Sequence, residues 1–346
     1  MRLGILLLLA MLLAPAAGRA NDGFGGLTAT GLQFRQSDKV RMVSEDLFLS
    51  LQEIRVRYLF RNDGPEPVSG EIIFPLPPIS LAELADDLMF ALPREQLDRE
   101  NFLRFTASVD GRPLTVQSER IAVLEPPVDE RRALAAPYET PGEEVTGLLE
   151  ELAIPLSLDA AKVAAVLASL PPPAQERLRA KGLAEFYPDG PPVPLWSIIV
   201  RYHWPQTFPP GKEVRIEHRY TPAPPGGLFL WPEKNQHPDE YQRELIDTYC
   251  IDAPTRKALA RLLRPRPQGV AAGTAFQLDY VLTTATTWHG PIGTFRLTID
   301  KGRPGNILSL CIDGLRKTGP TTFAVEKTAF TPARDLRLLI VSGPEG

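Results

Sequence analysis

Across residues 52–60 apolar and polar positions alternate, with Ile54, Val56, Tyr58 and Phe60 on one side and Glu53, Arg55 and Arg57 on the other. A period of two predicts a half-buried strand. Asn62-Asp63-Gly64 suits positive φ, and the apolar run 68–74 predicts a returning strand and so a hairpin, ended by Pro75, Pro77 and Pro78. The same grammar predicts pairing of 102–109 with 113–123 through Asp110-Gly111, and of 196–204 with 213–220. Further strands are expected at 275–284, 294–300, 307–312, 321–327 and 336–341.

The period changes between 124 and 195, where Leu148, Leu149 and Leu152, then Val163, Val166, Leu167 and Leu170, recur at helical spacing. Asp159 is placed to cap the second of these helices. Pro171, Pro172 and Pro173 separate it from a third at 174–181, which Gly182 can end in the left-handed region. A shorter helical connection is expected at 238–264, with Pro254 opening its second half. The fold class is therefore mainly β, a β-rich α+β chain built as an antiparallel β-sandwich with a helical insertion at about 125–190 and a second short helical connection. Pro222, Pro224, Pro225, Gly226 and Gly227 suggest a division into 21–221 and 228–346, or else a bend within one continuous domain.

Composition narrows the class of function. Proline, 36 of 346 residues, is scattered among apolar runs and fits a loop-rich β protein. With 38 basic and 42 acidic residues and a net charge of −4, the chain has no basic footprint for nucleic acid.

The first twenty residues read as an address. Arg2 precedes an apolar run at 3–17, and Gly18 and Ala20 supply the small residues a signal peptidase requires, so cleavage is expected between Ala20 and Asn21. The run is shorter than the roughly 20 residues that span a bilayer, and no later segment is long enough, so the mature chain is expected to have no transmembrane segment and to be periplasmic or secreted. Residues 21–26 are glycine-rich and read as a flexible or turn-rich N-terminus. In an exported protein the two cysteines, Cys250 and Cys311, are expected to form one disulfide.

Candidate chemistry is sparse. The chain holds no Gly-x-Ser-x-Gly, His-Glu-x-x-His or Cys-x-x-Cys pattern, so no catalytic or cofactor-binding residue is assigned and no cofactor is expected. His203 and His218, placed on the paired strands, would be about 13 Å apart and unable to share a metal. His237 with Asp239 and Glu240 is a weak metal or acid–base candidate, set against a polar helix start. Trp204-Pro205, Trp231-Pro232 and Trp288-His289-Gly290-Pro291 could stack on a sugar or peptide, but rings at strand ends more often seal a sandwich core. The acid pairs Asp86-Asp87 and Asp129-Glu130 read as solvated surface rather than glycosidase carboxylates.

Several blocks taken together resemble a known family. They include Asn21-Asp22-Gly23, Phe74-Pro75-Leu76-Pro77, the segments 206–214 and 217–220, Tyr249-Cys250-Ile251-Asp252, Gly290-Pro291-Ile292-Gly293 and Asp300-Lys301-Gly302. In this order they resemble the bacterial exported family catalogued as domain of unknown function 4424. The resemblance implies an envelope protein and supplies no activity. Residues 54–77 are also weakly similar to the vault and inter-alpha-trypsin type of β domain, which implies only a sandwich-like region. Two classes of function remain: a non-enzymatic binding or assembly module whose partner is an envelope protein or glycan, and an envelope hydrolase or metal-dependent enzyme acting on glycan or peptide.

Overall fold

Strand Val40–Ser50 shows how the sequence pattern becomes a core. Val40 and Met42 point inward until a bulge between Met42 and Ser44 shifts the phase, after which Glu45, Leu47 and Leu49 are the buried positions. The computed structural model describes residues 22–28, 31–84, 94–126, 142–231, 240–264 and 272–344. Around this strand an eight-stranded sheet runs in the spatial order Arg316–Lys317, Thr322–Phe330, Ile292–Asp300, Val40–Ser50, Ile54–Asn62, Glu213–Tyr220, Thr106–Val109, Arg112–Pro113. Its pairs are antiparallel except one, since Ile292–Asp300 lies parallel to Val40–Ser50.

A second sheet follows the order Glu143–Glu144, Gln117–Leu124, Ser197–Phe208, Val68–Pro75, Gly23–Thr28, Gly31–Phe34, with Ile79–Ser80 also paired to Ser197–Phe208. The two sheets face each other through aromatic contacts. Phe74 meets the His218 ring at 4.5 Å, Phe60 meets Phe208 at 5.6 Å, and Phe105 stacks on Tyr202 at 4.3 Å. The β-rich, largely antiparallel expectation holds, but two of the three expected hairpins do not.

Ile54–Asn62 pairs with Val40–Ser50 and Glu213–Tyr220, whereas Val68–Pro75 belongs to the opposite sheet, beside Ser197–Phe208 and Gly23–Thr28. The connection is an arch between sheets. Pro65 and Pro67 lack the N–H groups that would continue a hairpin ladder. The fully buried Asn62 side chain holds the crossing, donating to the carbonyls of Glu66 and Phe208 at 2.8 and 2.9 Å and accepting the Gly64 N–H. Ser197–Phe208 and Glu213–Tyr220 are likewise on opposite sheets, joined through Pro209 and Pro210, with the Gly211 N–H bonded to the Asn62 carbonyl. The third hairpin forms in part. Asp110 and Gly111, at φ 49° and 77°, turn Thr106–Val109 into Arg112–Pro113, and the chain then crosses to Gln117–Leu124.

The N-terminal segment is also corrected, because Gly23–Thr28 is a strand whose leading residues are buried. Its glycines serve close approach rather than flexibility. A Cβ on Gly25 would lie 2.4 Å from Ile73 Cδ1 and 2.5 Å from the Gln33 carbonyl oxygen.

The insertion contains the expected helices, Thr146–Glu151, Ala160–Ser169 and Pro172–Ala180. Asp159 caps the second by accepting the Ala161 and Lys162 N–H groups, and Gly182 lies at φ 68° after the third. Leu149, Val163, Leu167 and Leu178 are fully buried against the sandwich core, so the insertion seals it. One-turn helices at Leu81–Leu84 and Arg94–Leu97 lie outside the expected helical zones. So does a 3-10 turn at Thr283–Thr287, which ends the strand Ala272–Tyr280 earlier than expected. Asp335 accounts for that turn by accepting from the Leu282 and Thr283 N–H groups and the Thr283 hydroxyl.

A four-stranded sheet, in the order Gly226–Leu230, Ala272–Tyr280, Leu336–Ser342, Ile307–Leu310, carries the second helical connection. Its helices are Glu240–Tyr249 and Ala253–Leu262, the latter with Pro254 in its first turn. Leu245, Tyr249, Leu259 and Leu263 pack on Phe229, Leu339 and Val341 as a second core. A disulfide between Cys250 and Cys311, with Cα atoms 5.1 Å apart, ties this connection to the chain leaving Ile307–Leu310. The eight-stranded sheet takes strands from both sides of residues 221–227.

Candidate functional site

Where the sandwich meets the four-stranded sheet, the chain leaves a cleft of about 120 Å³. Prolines shape it. Pro77 and Pro78 follow the end of Val68–Pro75, and Pro222, Pro224 and Pro225 follow Glu213–Tyr220, so both walls are chain that cannot extend a ladder. A proline also presents no N–H, so these five positions line an apolar space without leaving donors unsatisfied. Phe102, Leu103, Ala223 and Leu278 add to the apolar lining, and Glu83, Gln277 and Asp279 supply polar groups. Ser80, also at the cleft, accepts the Glu83 N–H and caps the turn Leu81–Leu84.

Tyr220 forms part of the cleft wall and opens onto a buried polar thread. Its ring lies 5.6 Å from Phe74 and 6.0 Å from Phe105. Deeper between the sheets the hydroxyls of Tyr280 and Tyr58 are 3.1 Å apart, and the bulge in Val40–Ser50 places the buried Glu45 directly opposite Tyr58 in the ladder. Asp22 Oδ1 lies 3.2 Å from His218 Nε2, and neither side chain is exposed. The His218 ring also packs at 5.4 Å from Tyr58. Burial pushes the phenols of Tyr58, Tyr220 and Tyr280 upward, which keeps them protonated as hydrogen-bonding groups. Burial likewise raises the Asp22 carboxyl, opposed by the charge and hydrogen bond of His218.

Perturbed groups behind a cleft can mark chemistry, but here Asp22, Glu45 and His218 are buried, and the His218 ring packs among Tyr58, Phe74 and Phe105. The Trp288 indole N–H donates to the Asp22 carbonyl, and the Phe24 N–H donates to Thr287 Oγ1 at 3.1 Å. These bonds fasten the N-terminal strand of the second sheet to Thr287 and Trp288. The arrangement pins structure behind the cleft, while the cleft itself offers an apolar seat.

The residues singled out from sequence are dispersed. His237 and Asp239 lie outside the described residues, and Glu240 opens the helix Glu240–Tyr249. Ala20 and Asn21, Asp86-Asp87 and Asp129-Glu130 also lie outside them. His203 and His218 are not on paired strands as expected. His203 Nδ1 meets Glu71 at 3.0 Å on one sheet, and His218 belongs to the other. The expected sealing role of the tryptophans holds, with Trp204 and Trp288 each 1% exposed and Trp231 buried in the second core. Among the described residues no group of three or more His, Cys, Asp or Glu could hold a metal, and no helix is long and apolar enough to cross a membrane. Sequence reasoning missed the buried acids Asp22, Glu45 and Asp335. For Asp22 the available signal was its place among glycines that need close approach.

No curated protein matches this chain. Among solved structures it is similar to a chain from Legionella pneumophila subsp. pneumophila str. Philadelphia 1 described as a "putative nutrient binding protein". The identity is 14% and the TM-score 0.38, with 88% of this chain and 68% of that chain covered. The cleft and its buried thread both fall within residues 20–339, the span matched by the family described as domain of unknown function (DUF4424), and the chain belongs to that family.

Proposed function

We propose that the chain is an exported envelope protein acting as a non-enzymatic binding or assembly module, which takes an apolar side chain of a partner protein into the proline-walled cleft. The observation that carries this reading is the cleft's lining, apolar on most sides and edged by a few polar groups, as small recognition sites are. Its volume suits a single ring or branched aliphatic group, since a cavity of roughly 150 Å³ accommodates benzene. Export is supported by the leader pattern of residues 1–20 and by the Cys250–Cys311 bridge, which fits an oxidising compartment.

A photo-crosslinking residue at Ser80, introduced in living cells, should capture a specific partner. Filling the cleft with Ala223→Trp should abolish that capture while the melting temperature stays near that of the parent chain. Capture that persists in the filled variant overturns the cleft as the site. Mass spectrometry of the protein recovered from the envelope should find an N-terminus at Asn21, and an intact leader would overturn the processed, soluble form.

A further inference from the structure

The four-stranded sheet ends on a strand that lacks the usual protection. Sheet edges are normally blunted by charge, proline, added bonds or a covering helix, and the other edges of the three larger sheets follow that rule. The eight-stranded sheet ends on Arg316–Lys317 and Arg112–Pro113, and the second sheet on Glu143–Glu144. At the second sheet's other end the Leu32 N–H donates to Glu119 at 3.2 Å, and the Leu32 carbonyl accepts from Arg201 at 3.1 Å. Ile307–Leu310 lies beside both helices of the disulfide-tied connection. Gly226–Leu230 itself carries neither charge nor proline. It pairs on one side with Ala272–Tyr280, and residues 221–231 contain no charged side chain. Leu228 is 76% exposed and Leu230 46%, while Phe229 between them is buried in the second core.

The phase of the ladder decides what this edge can offer. The Gln277 N–H donates to the Pro225 carbonyl, so in antiparallel alternation the backbone groups of Gly226, Leu228 and Leu230 point away from Ala272–Tyr280. Among the described residues no strand takes up that side. When a copy of the strand is laid antiparallel with Leu228 opposite Leu228, the same residues of the copy point back, and Gly226 falls opposite Leu230. Each such pair can exchange both of its backbone bonds. Only this register pairs all of the outward residues with one another. The side chains fit it as well. Exposed Leu230 of one copy meets Gly226 of the other, which has no side chain and is crossed by the half-buried Phe276 ring, 2.4 Å from where a Cβ would lie. On the inner face Phe229 falls opposite Gly227. Large residues meet small ones on both faces, and no charge enters the pairing.

We infer that Gly226–Leu230 pairs with the same strand of a second copy of this chain about a two-fold axis at Leu228, joining two four-stranded sheets into one. Self-complementarity selects the occupant. A two-fold contact must present one patch to itself, and here glycine faces leucine on either side of the axis while Leu228 faces Leu228. The absence of charge has the same sense, because a charge at 228 would lie directly opposite its own copy. A five-residue ladder is small beside the interfaces of permanent dimers, so the association is weak and rises with concentration.

The test measures the association state of the purified chain by sedimentation equilibrium up to about millimolar concentration. A dimer should form. Leu228→Lys and Leu228→Glu should each weaken it about tenfold or more, with melting temperatures near that of the parent chain. An equimolar mixture of the two variants should recover association, since the axis sets the lysine of one against the glutamate of the other. On mild oxidation Leu228→Cys should link two copies, because Cα atoms in such a pair lie about 5.5 Å apart, and Leu230→Cys should not. A chain that stays monomeric overturns the inference. So does a dimer that Leu228→Lys leaves intact, or a mixture of the charged variants that stays dissociated. A monomer whose Leu228 and Leu230 amides gain protection from hydrogen exchange only when an extended apolar peptide is added also overturns it, by giving the edge to a foreign strand. Leu228 is not part of the cleft lining, so none of these results bears on the cross-linking test at Ser80.

Discussion

Asp22 and His218 meet at 3.2 Å between two sheets, joining the first described residue of the chain to a strand that begins almost two hundred residues later. Removing one member leaves its partner enclosed without its counter-group, a change that usually costs about 3–5 kcal/mol. Asp22→Ala and His218→Ala should each lower the unfolding free energy by about that much. The double variant should lose clearly less than the sum. Denaturant titration of the four proteins provides the cycle, and strict additivity would contradict direct coupling.

The same carboxyl gives a pH dependence of unusual sign. Burial raises the Asp22 pKa above its ordinary value of 3.8, with His218 only partly opposing. A group raised on folding contributes stability that is fully present below its unfolded pKa and is lost as pH rises through the folded value. The parent chain should therefore lose stability relative to Asp22→Asn as pH increases upward from ~4. Chemical denaturation of both proteins across that range checks it, and a difference that is constant with pH would contradict it.

The disulfide closes a sequence separation of 61 residues. In the chain-entropy treatment a loop of that length contributes about 4 kcal/mol. Cys250→Ser and Cys311→Ser should lower stability equally, and the double variant should be no worse, because either change removes the one covalent link. Thermal melting of the three variants, with peptide mapping under non-reducing conditions, measures this.

At Gly25 the space for a side chain is already filled by Ile73 and the Gln33 carbonyl. Gly25→Ala should destabilise by about 1–3 kcal/mol through displacement of the N-terminal strand. Gly111→Ala, where no atom lies within 4 Å of the added Cβ, tests the contrasting case of a left-handed backbone at φ 77°. Only the first variant should speed hydrogen exchange in Gly23–Thr28.

What could be read in advance was mostly local. Alternation at Ile54, Val56, Tyr58 and Phe60 identified a strand, and Asp159, Gly182 and Asp110-Gly111 identified a cap, a helix end and a turn, because each acts on neighbours a few residues away. The choice of pairing partner was not local. An inward-facing strand satisfies the same period whether the next strand lies beside it or across from it, so the arches at Asn62 and Pro210 read as hairpins. Glu45 was hidden for a related reason, since its inward orientation depends on the bulge before Ser44. The cleft was legible only as prolines in two separate stretches, and their meeting depends on the same crossings.

The parallel pairing of Val40–Ser50 with Ile292–Asp300 has a consequence for the order of assembly. One flank of Val40–Ser50 can be matched as soon as residue 62 is available, but the other stays bare until nearly three hundred residues have been made. Such remote partnering slows folding because a large loop must close before any contact rewards it. This early strand must therefore wait for the last third of the chain, and the half-built sheet carries an adhesive flank throughout that interval.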